Sequence, residues 1–516
     1  MRMISNRVLP TAARYVSVLL AALLVYYVIR EPLNAAVSDV LLPKIESLRT
    51  TGPGGDQDGV PLVGTNDKPP PAGPAGAAEA IREKNAQVPI GDVNDGIHYV
   101  KKYKPDPAPY APIADHFAWI THADFPPPVP PNNVPPNPRV DEATPLLIGF
   151  TTNWPLLLQC VSSYIAAGWP PEDIHVVENT GTFLANRQGE LEMQNPFFLN
   201  HTALGILGVT DVVSTPTLLT FSQLQNFYLH LAVDRDWPHF WWSHMDVVVL
   251  SDEDVKKNDR DHDWDHDPYA TLYERSVGLL RYLNGPDMPP WATHFFRYDH
   301  LALVNRDAYL DAGAWDTQIP FQAADCDMYL RLHWAGYWQP QSEAGLVFDV
   351  SVVLDDIAAL FRVPGAHAAF RGDPVHAEDA DDREPERERE QDMWPWVDKE
   401  GETFAHLVEV VGRMQDLKSD EAARHRRVDW VGGRQTGGRD DSFYRDPDGF
   451  VAGQETLAEA GRRVFADKWG HRGCDLLAVG IEGKDAWRLE RDWDIRESPG
   501  SVGGNWGRDW MTGASG

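Results

Sequence analysis

The strongest constraint on the fold of this chain is an alternation of strand-like and helix-like segments between residues 145 and 181. Residues 145–153 (PLLIGFTTN) are an apolar run with a polar end, and residues 154–168 (WPLLLQCVSSYIAAG) place apolar side chains at helical spacing before a glycine. Residues 173–181 (DIHVVENTG) are a second apolar run with a polar end. A strand, a helix and another strand in this order predict a parallel strand pair and an α/β fold.

Polar residues follow the predicted strands. A third apolar run, residues 239–250 (HFWWSHMDVVVL), comes after a helical segment at residues 221–234 and carries polar side chains of its own. Ligands of α/β proteins bind at the carboxyl ends of parallel strands, so we expect these polar side chains to share one rim. The predicted rim residues are Thr151, Glu178, Asn179, His244 and Asp246.

Two later segments carry a resemblance to a known family. Residues 304–316 (VNRDAYLDAGAWD) resemble a stretch with an aromatic helix and a Gly-x-[FW]-[DN] ending, and residues 324–337 (ADCDMYLRLHWAGY) resemble an acidic block with a Gly-Tyr turn. Together with the strand order, they resemble the nucleotide-sugar glycosyltransferases of the GT-A fold. The resemblance is to family 2-like enzymes, among them the membrane-anchored kind found in fungi, and it covers about residues 145–350.

The resemblance implies a GT-A (Rossmann-like) domain with a mixed, mostly parallel sheet, and it assigns roles to single residues. Glu178 and Asn179 match the acidic pair that contacts the nucleoside. Asp246 matches the last Asp of the DxD motif, which binds a divalent metal, Mn²⁺ or Mg²⁺, bridging the diphosphate. Asp325 matches the catalytic base, and Asp327 lies in the helix that follows.

Two positions depart from the family pattern. His244 stands where the first Asp of the DxD motif is expected, and Ala324 replaces the usual Glu. A neutral imidazole is a poorer ligand than a carboxylate for Mg²⁺ or Mn²⁺, because these ions prefer oxygen. The alternative is that His244 hydrogen-bonds the ribose or a phosphate of the donor.

The chemistry of sugar transfer requires such residues independently of the resemblance. Negative charge develops on the diphosphate leaving group, and a metal held by Asp246 would stabilise it. The attacking hydroxyl of a glycan or glycoconjugate acceptor must lose a proton, which a carboxylate such as Asp325 can accept. A single base acting on the acceptor implies inversion at the anomeric carbon.

Each assignment has a structural alternative. Asp325 or Asp327 could be the N-cap of the following helix, and Asp246 could be a turn residue at a strand end. Trp315 and Trp338 are predicted to lie where an acceptor could stack. Trp315 and Asp327 are predicted either to contact the acceptor or to support the site from behind. Trp241 and Trp242 are predicted to be core residues.

The N-terminus predicts a membrane anchor. Residues 15–29 (YVSVLLAALLVYYVI) carry no charge and lie between arginines, which favours a signal anchor with its positive side in the cytosol. A cleaved secretory signal is the alternative. The predicted organisation is a cytosolic tail (1–14), an anchor (15–30), a Pro/Gly-rich stem (31–140), a catalytic domain (141–365), an acidic linker (366–400) and a C-terminal helical extension (401–516). Such a single-pass type II chain would place its catalytic domain in the lumen of the Golgi or endoplasmic reticulum.

Charge and cysteine content exclude some classes. With 46 basic and 77 acidic residues the net charge is −31, which argues against nucleic-acid binding. The three cysteines lack CxxC spacing, so we predict neither a zinc site nor a disulfide framework. One disulfide with a free thiol is the alternative, which we do not predict. His262 and His266 lie in a charged stretch, residues 251–268, that is typical of a solvated loop.

Three functional classes stay open from sequence. The first is a membrane glycosyltransferase that uses a nucleotide-sugar donor. The second is a catalytically inactive carbohydrate-binding or scaffold protein of the secretory membrane. The third is a hydrolase with Asp325 and Asp327 as its acid pair, although two positions so close on a helix point in different directions.

Overall fold

The computed structural model describes residues 128–253, 269–363, 365–374, 400–419, 443 and 447–492. All of them fall within one of the two units into which the chain divides, Tyr103–Gly516. The predicted cytosolic tail, the anchor and most of the stem lie outside the described residues, as do His262, His266 and most of the acidic linker. None of the described helices combines the length and the apolar character needed to cross a bilayer.

In the part of the chain that the structure describes, eight strands form two sheets. They are β1 (Leu146–Phe150), β2 (Ile174–Glu178), β3 (Asp211–Ser214), β4 (His239–Ser243), β5 (Val247–Leu250), β6 (Thr293–Phe295), β7 (Leu301–Asn305) and β8 (Leu346–Asp349). The main sheet has the order β3-β2-β1-β4-β7-β6, and β5 pairs with β8 in a second sheet. Strands β1 to β4 are mutually parallel, whereas β7 is antiparallel to both β4 and β6. The fold is therefore α/β with a mixed, mostly parallel sheet, as the sequence predicts.

Within the described residues, nine α-helices accompany the strands. They are α1 (Trp154–Ala166), α2 (Ala185–Gln188), α3 (His201–Ile206), α4 (Phe221–Asp234), α5 (Leu272–Leu283), α6 (Arg306–Asp311), α7 (Ala324–Trp334), α8 (Glu400–Ser419) and α9 (Pro447–Trp469). Helix α1 is the predicted crossover between β1 and β2, and all of its 13 residues are buried. Helices α4 and α5 both begin with a capping box, in which a Thr side chain and a Gln or Glu side chain satisfy free backbone N–H groups.

Side chains on the two faces of the main sheet form two cores. Leu146 and Trp241 face a core shared with α1, α5 and α8. Leu147 and Trp242 face the opposite core, shared with α4, α6, α7 and α9. This alternation follows the two-residue period of a strand, and it confirms that both tryptophans are core residues. The C-terminal helices α8 and α9 thus pack on opposite faces of the sheet.

The run of residues 239–250 is not one strand. Strand β4 ends at Ser243, and β5 begins at Val247 and leaves the main sheet to pair with β8. The hydroxyl of Tyr164 in α1 donates to Ser243 Oγ at 2.8 Å, which fixes the end of β4. His244 and Asp246 therefore lie in the break between two strands.

One prediction about the cysteines is wrong. Cys326 and Cys474 form a disulfide with their Cα atoms 5.5 Å apart, although 148 residues separate them in sequence. Cys160 is a buried free thiol. The disulfide joins the first turn of α7 to the segment after α9, and spacing alone could not reveal it because the fold brings these segments together.

Candidate functional site

The parallel strands end at a common edge of the main sheet. Phe150 of β1 pairs with Glu178 of β2, and Ile148 of β1 pairs with Ser243 of β4. The residues that follow the strands at this edge are Thr151, Asn179 and His244. The structure thus brings the predicted rim residues to one edge; their roles in binding a donor stay predictions.

Antiparallel pairing adds further side chains to this edge. The start of β7 pairs with the end of β4, so Asp299 and His300 arrive beside His244. The end of β8 pairs with the start of β5, so Asp349 arrives beside Asp246. Two backbone bonds fix the arrangement, from His244 N to His300 O at 3.1 Å and from the residue after Asp349 to Asp246 O at 2.8 Å.

A lysine from α8 lies between two of these carboxylates. Lys418 Nζ donates to Asp246 Oδ2 at 2.6 Å and also to Asp349 Oδ1. An imidazole lies against each carboxylate, with His244 Nδ1 3.7 Å from Asp246 Oδ1 and His300 Nε2 3.6 Å from Asp349 Oδ2. We name as the rim cluster the residues His244, Asp246, Asp299, His300, Asp349 and Lys418.

The charges of the rim cluster are coupled. Burial acts to raise the pKa of Asp246, but the neighbouring His244 imidazole and Lys418 ammonium outweigh it and hold the pKa well below its ordinary value. The pKa of Asp349 is likewise lowered by His300 and Lys418 against the effect of burial. Both carboxylates are therefore ionised at neutral pH.

His244 is poised between two aspartates. Burial acts to lower its pKa, but Asp246 and Asp299 raise it above the ordinary value. Among the described residues His244 Nε2 has no hydrogen-bond partner, and it lies 3.9 Å from Asp299 Oδ1. This nitrogen is buried, and the alternative that His244 hydrogen-bonds the donor stays a prediction.

Asp325 lies in the first turn of α7 beside a cavity. Its Oδ2 accepts a hydrogen bond from Tyr298 at 2.5 Å, and Tyr298 adopts the left-handed backbone region at φ 45°. The cavity has a volume of about 410 Å³, and Arg462 and Arg472 are among its lining residues. The N-cap of α7 is Ala323, so the N-cap alternative is wrong for both Asp325 and Asp327.

A second cavity of about 480 Å³, which we name the aromatic cavity, is also lined by Tyr298. Its further lining residues include three aromatic side chains and a glutamine, Tyr329, Tyr337, Trp338 and Gln339. Aromatic faces and amide groups are suited to binding the apolar faces and hydroxyls of sugars. The cavity of Asp325 and the aromatic cavity also share both cysteines of the disulfide.

Asp327 takes no part in either cavity. Its side chain is buried and accepts bonds from Arg331 Nε at 2.8 Å and Trp469 Nε1 at 3.1 Å. Lys468 Nζ lies 2.7 Å from Asp327 Oδ1 and 2.7 Å from Asp316 Oδ2. Asp327 is thus a buried anchor between α7 and α9. The hydrolase alternative fails because Asp325 and Asp327 do not face a common space.

Glu178 and Asn179 are engaged in internal bonds. Glu178 Oε1 accepts from Asn186 at 2.7 Å and Glu178 Oε2 from Ser214 at 3.1 Å. Asn179 Oδ1 accepts from the backbone N of Leu219 at 2.7 Å. Both side chains are 2% exposed, so they shape the loops after β2 and β3, and their predicted contact with a nucleoside stays a prediction.

Trp315 belongs to the core. It is 3% exposed and its ring packs against Phe221 and Tyr329 at centroid distances of 5.2 and 5.9 Å. The prediction that an acceptor stacks on Trp315 is therefore wrong, because the buried ring has no free face large enough for a sugar. Trp315 packs against Tyr329, which lines the aromatic cavity, so it supports that cavity from behind.

The divalent metal predicted at Asp246 does not fit the residues present. Among the described residues no three His, Cys, Asp or Glu side chains are arranged to hold a metal ion. The oxygen of Asp246 that would bind the metal accepts a hydrogen bond from Lys418 instead. The residues present therefore do not support a metal-dependent catalytic step at Asp246.

Five residues of the site were missed by the sequence reasoning: Tyr298, Asp299, His300, Asp349 and Lys418. Tyr298, Asp299 and His300 precede an apolar strand, and Asp349 ends one. Their position as polar residues at strand ends is the feature of the sequence that could have identified them. Only antiparallel pairing brings them to the rim, and the sequence did not indicate it. Lys418 ends an amphipathic helix, where a lysine is ordinary.

No protein-family profile and no curated protein sequence matches this chain. Among solved structures, a mutant Drosophila β-1,4-galactosyltransferase 7 with manganese, UDP-Gal and xylobiose aligns at 13% identity over 39% of this chain, with a TM-score of 0.21. This chain covers 64% of that protein, slightly less than two thirds. TM-scores this low do not establish a shared fold.

Two further structures are similar to a comparable degree. A mannosyltransferase from Pyrobaculum calidifontis with GDP-Man and Mn²⁺ aligns at 12% identity, over 65% of this chain and 90% of that one, with a TM-score of 0.27. A cytidylyltransferase from Leptospira borgpetersenii aligns at 11% identity, over 39% and 76%, with a TM-score of 0.25. Two of these three proteins are glycosyltransferases, and all three alignments have TM-scores below 0.5.

Proposed function

We propose that this chain is a membrane-anchored glycosyltransferase that moves a sugar from a nucleotide-diphosphate donor to a glycan or glycoconjugate acceptor with inversion. The donor diphosphate would bind at the rim cluster. The acceptor would bind in the aromatic cavity next to Asp325. The proposal takes its residue roles from the motif resemblance and its geometry from the structure.

The observation that carries the proposal is the pair Tyr298 and Asp299. These residues are adjacent in the chain, and Tyr298 bonds Asp325 while Asp299 faces His244. Burial raises the pKa of Asp299, the neighbouring His244 acts to lower it, and the charge of Asp325 raises it further. The adjacency of Tyr298 and Asp299 in the chain supports the proposal that the diphosphate position and the base act in one site.

The chemistry follows from this arrangement. An acceptor hydroxyl oxygen attacks the anomeric carbon as the bond from that carbon to the phosphate oxygen breaks. The hydroxyl proton passes to Asp325, and the nucleoside diphosphate leaves with the electron pair. The hydrogen bond from Tyr298 holds the Asp325 carboxylate in place. Attack from the side opposite the diphosphate inverts the configuration.

The disulfide supports a luminal catalytic domain. Disulfides persist in oxidising compartments and are rare in the cytosol. Cys326–Cys474 lies between α7 and the chain after α9, so it belongs to the part of the chain that carries Asp325. A type II topology anchored by residues 15–30 of a Golgi or endoplasmic reticulum protein would place this disulfide in such a compartment.

The first test measures binding of the donor. The full chain in detergent is titrated with UDP and GDP by calorimetry, and sugar transfer to a panel of glycans is then measured with the corresponding nucleotide sugars. We expect Asp325→Asn to retain nucleotide binding and to lower kcat by about 100-fold to 10,000-fold, as loss of a general base does. Asp234→Asn is the matched control, since Asp234 is 59% exposed and pairs with His230 on the surface.

The outcomes separate the functional classes. Nucleotide binding together with transfer that depends on Asp325 supports the enzyme. Glycan binding by a folded chain that binds neither nucleotide would instead establish the inactive carbohydrate-binding protein. Full activity of Asp325→Asn would remove Asp325 from the mechanism.

A further inference from the structure

We propose that Lys418 supplies the positive charge of the diphosphate site, so that this chain binds a nucleoside diphosphate without a divalent cation. The inference rests on the proposed function for the identity of its ligand. The motif resemblance implies that donor binding depends on a metal. We infer the opposite because Lys418 lies between the two carboxylates that would hold the metal.

Lys418 and a divalent cation would compete for the same oxygen atoms. Asp246 precedes β5 and Asp349 ends β8, and these strands pair so that the two carboxylates face one space. Lys418 Nζ occupies that space, 2.6 Å from Asp246 Oδ2 and hydrogen-bonded to Asp349 Oδ1. Metal ions bind carboxylate oxygens at about 2.0–2.6 Å, so the ammonium must leave before a cation can enter.

The position of Lys418 is fixed by its helix. Helix α8 buries one apolar face in the core that also contains β1 and α1. Those buried residues of α8 are Phe404, Leu407, Val410, Val411 and Met414. Gln415 Oε1 accepts from Asp349 N at 3.3 Å, and Arg413 pairs with the buried Asp373 at 2.7 Å. The last turn of α8 is therefore held against the rim, and Lys418 does not depend on a ligand for its placement.

Lys418 reduces the negative charge that the carboxylate pair would present to a diphosphate. Without Lys418 the carboxylates of Asp246 and Asp349 would carry two negative charges, which would repel a diphosphate. The ammonium leaves one negative charge on the trio and places a cationic donor at the rim. A lysine binds phosphate as a point charge, and the Lys418 side chain is 21% exposed here.

The first arm of the test measures metal binding without nucleotide. Free Mn²⁺ is followed by electron paramagnetic resonance during titration into the full chain, its Lys418→Ala variant and its Lys418→Arg variant. We expect Lys418→Ala to bind Mn²⁺ at least about tenfold more tightly than the wild type, because removing the ammonium frees two carboxylates. Lys418→Arg should resemble the wild type, and Lys484→Ala, which removes an exposed lysine paired with Glu482, is the matched control.

The second arm measures binding of UDP and GDP by calorimetry in EDTA and in Mn²⁺. We expect the wild type to bind equally well in both. We expect Lys418→Ala to bind at least about tenfold more weakly in EDTA, as loss of a charged contact implies, and to recover in Mn²⁺. Thermal denaturation checks that each variant is folded.

Two results would overturn the inference. The first is that the wild type binds nucleotide only with Mn²⁺ and that Lys418→Ala binds it equally well or more tightly. Lys418 would then hold the metal position closed until the metal displaces it. The other is equal Mn²⁺ affinity in wild type and Lys418→Ala. If the wild type binds neither nucleotide, the proposed function fails, and the Mn²⁺ titration still decides whether Lys418 holds the cation position.

Discussion

Two lysines in this chain each bridge a pair of aspartates, on opposite faces of the same sheet. Lys468 of α9 bridges Asp316 and Asp327, and the side chains of Lys468 and Asp327 are 8% and 1% exposed. Lys418 of α8 bridges Asp246 and Asp349, and the three side chains are 21–34% exposed. The chemistry of the two clusters is the same, and the difference lies in their access to solvent.

That difference separates a structural cluster from a candidate binding cluster. Asp327 also accepts hydrogen bonds from Arg331 and Trp469, so its carboxylate is satisfied within the protein. In the rim cluster, His244 Nε2 has no hydrogen-bond partner among the described residues. A buried cluster whose bonds are satisfied rigidifies the fold, whereas the partly exposed carboxylates and lysine of the rim cluster are accessible from solvent.

The largest expected effect is on stability, and it tests the buried cluster against the rim cluster. Asp327→Ala should lower the free energy of unfolding by about 3–5 kcal/mol, because it removes the buried carboxylate that Arg331 and Lys468 share and leaves Arg331 without its ion-pair partner. Asp246→Ala, the matched change at the rim, should cost about 0–1 kcal/mol, as partly solvated ion pairs do. Guanidinium denaturation followed by tryptophan fluorescence measures both values. Equal losses in the two variants would erase the distinction between the clusters.

The sequence predicted the parallel half of this fold better than the site. The β1–α1–β2 unit was predictable because each segment has a strong apolar period and a polar end. Asp246 was predictable at the rim for the same reason. Lys418 was not, since it lies 172 residues from Asp246 in sequence and reaches it only through the packing of α8.

Burial and pairing explain the remaining misassignments. Trp315 was predicted near the acceptor, but the surrounding aromatic side chains cover it. Cys326 and Cys474 were not predicted to bond because the contact between α7 and the chain after α9 cannot be read from local periodicity. Contacts between distant segments determined each of these outcomes.

The second expected effect concerns the disulfide, which lies near the buried cluster of Lys468, Asp316 and Asp327 in the chain. Cys326–Cys474 ties α7, the helix that carries Asp327, to the segment after α9, the helix that carries Lys468. The double variant Cys326→Ser/Cys474→Ser should lose about 2–4 kcal/mol of stability, since it no longer restrains the unfolded chain. Thermal denaturation with and without reductant measures this loss.

The double variant also provides an internal control. Its melting temperature should not respond to reductant, whereas that of the wild type should fall. Binding of nucleotide at the rim should change little, because the disulfide lies at the cavities beside Asp325. A wild type that does not respond to reductant would show that the bond contributes no stability.

The smallest expected effect contrasts two histidines, one at the rim and one buried. His294 of β6 is 3% exposed and contacts Ser342 Oγ at 2.9 Å, and burial lowers its pKa to about 4. His244 has the opposite shift because Asp246 and Asp299 favour its protonated form over the effect of burial. Titration of the imidazole resonances by NMR should therefore give values on opposite sides of the ordinary 6.5.

The two shifts act on stability with opposite signs. As the pH falls from about 6.5 toward 4, the unfolded chain gains a proton at His294 that the folded chain does not, so His294 destabilises the fold across that window. His244 stabilises the fold fully below its unfolded pKa, and this contribution is lost as the pH rises through its raised folded pKa. Asp246→Asn should lower the pKa of His244 and leave that of His294 unchanged. If Asp246→Asn leaves the His244 titration unchanged, the rim cluster is not electrostatically coupled, and the contrast with the buried cluster rests on solvent exposure alone.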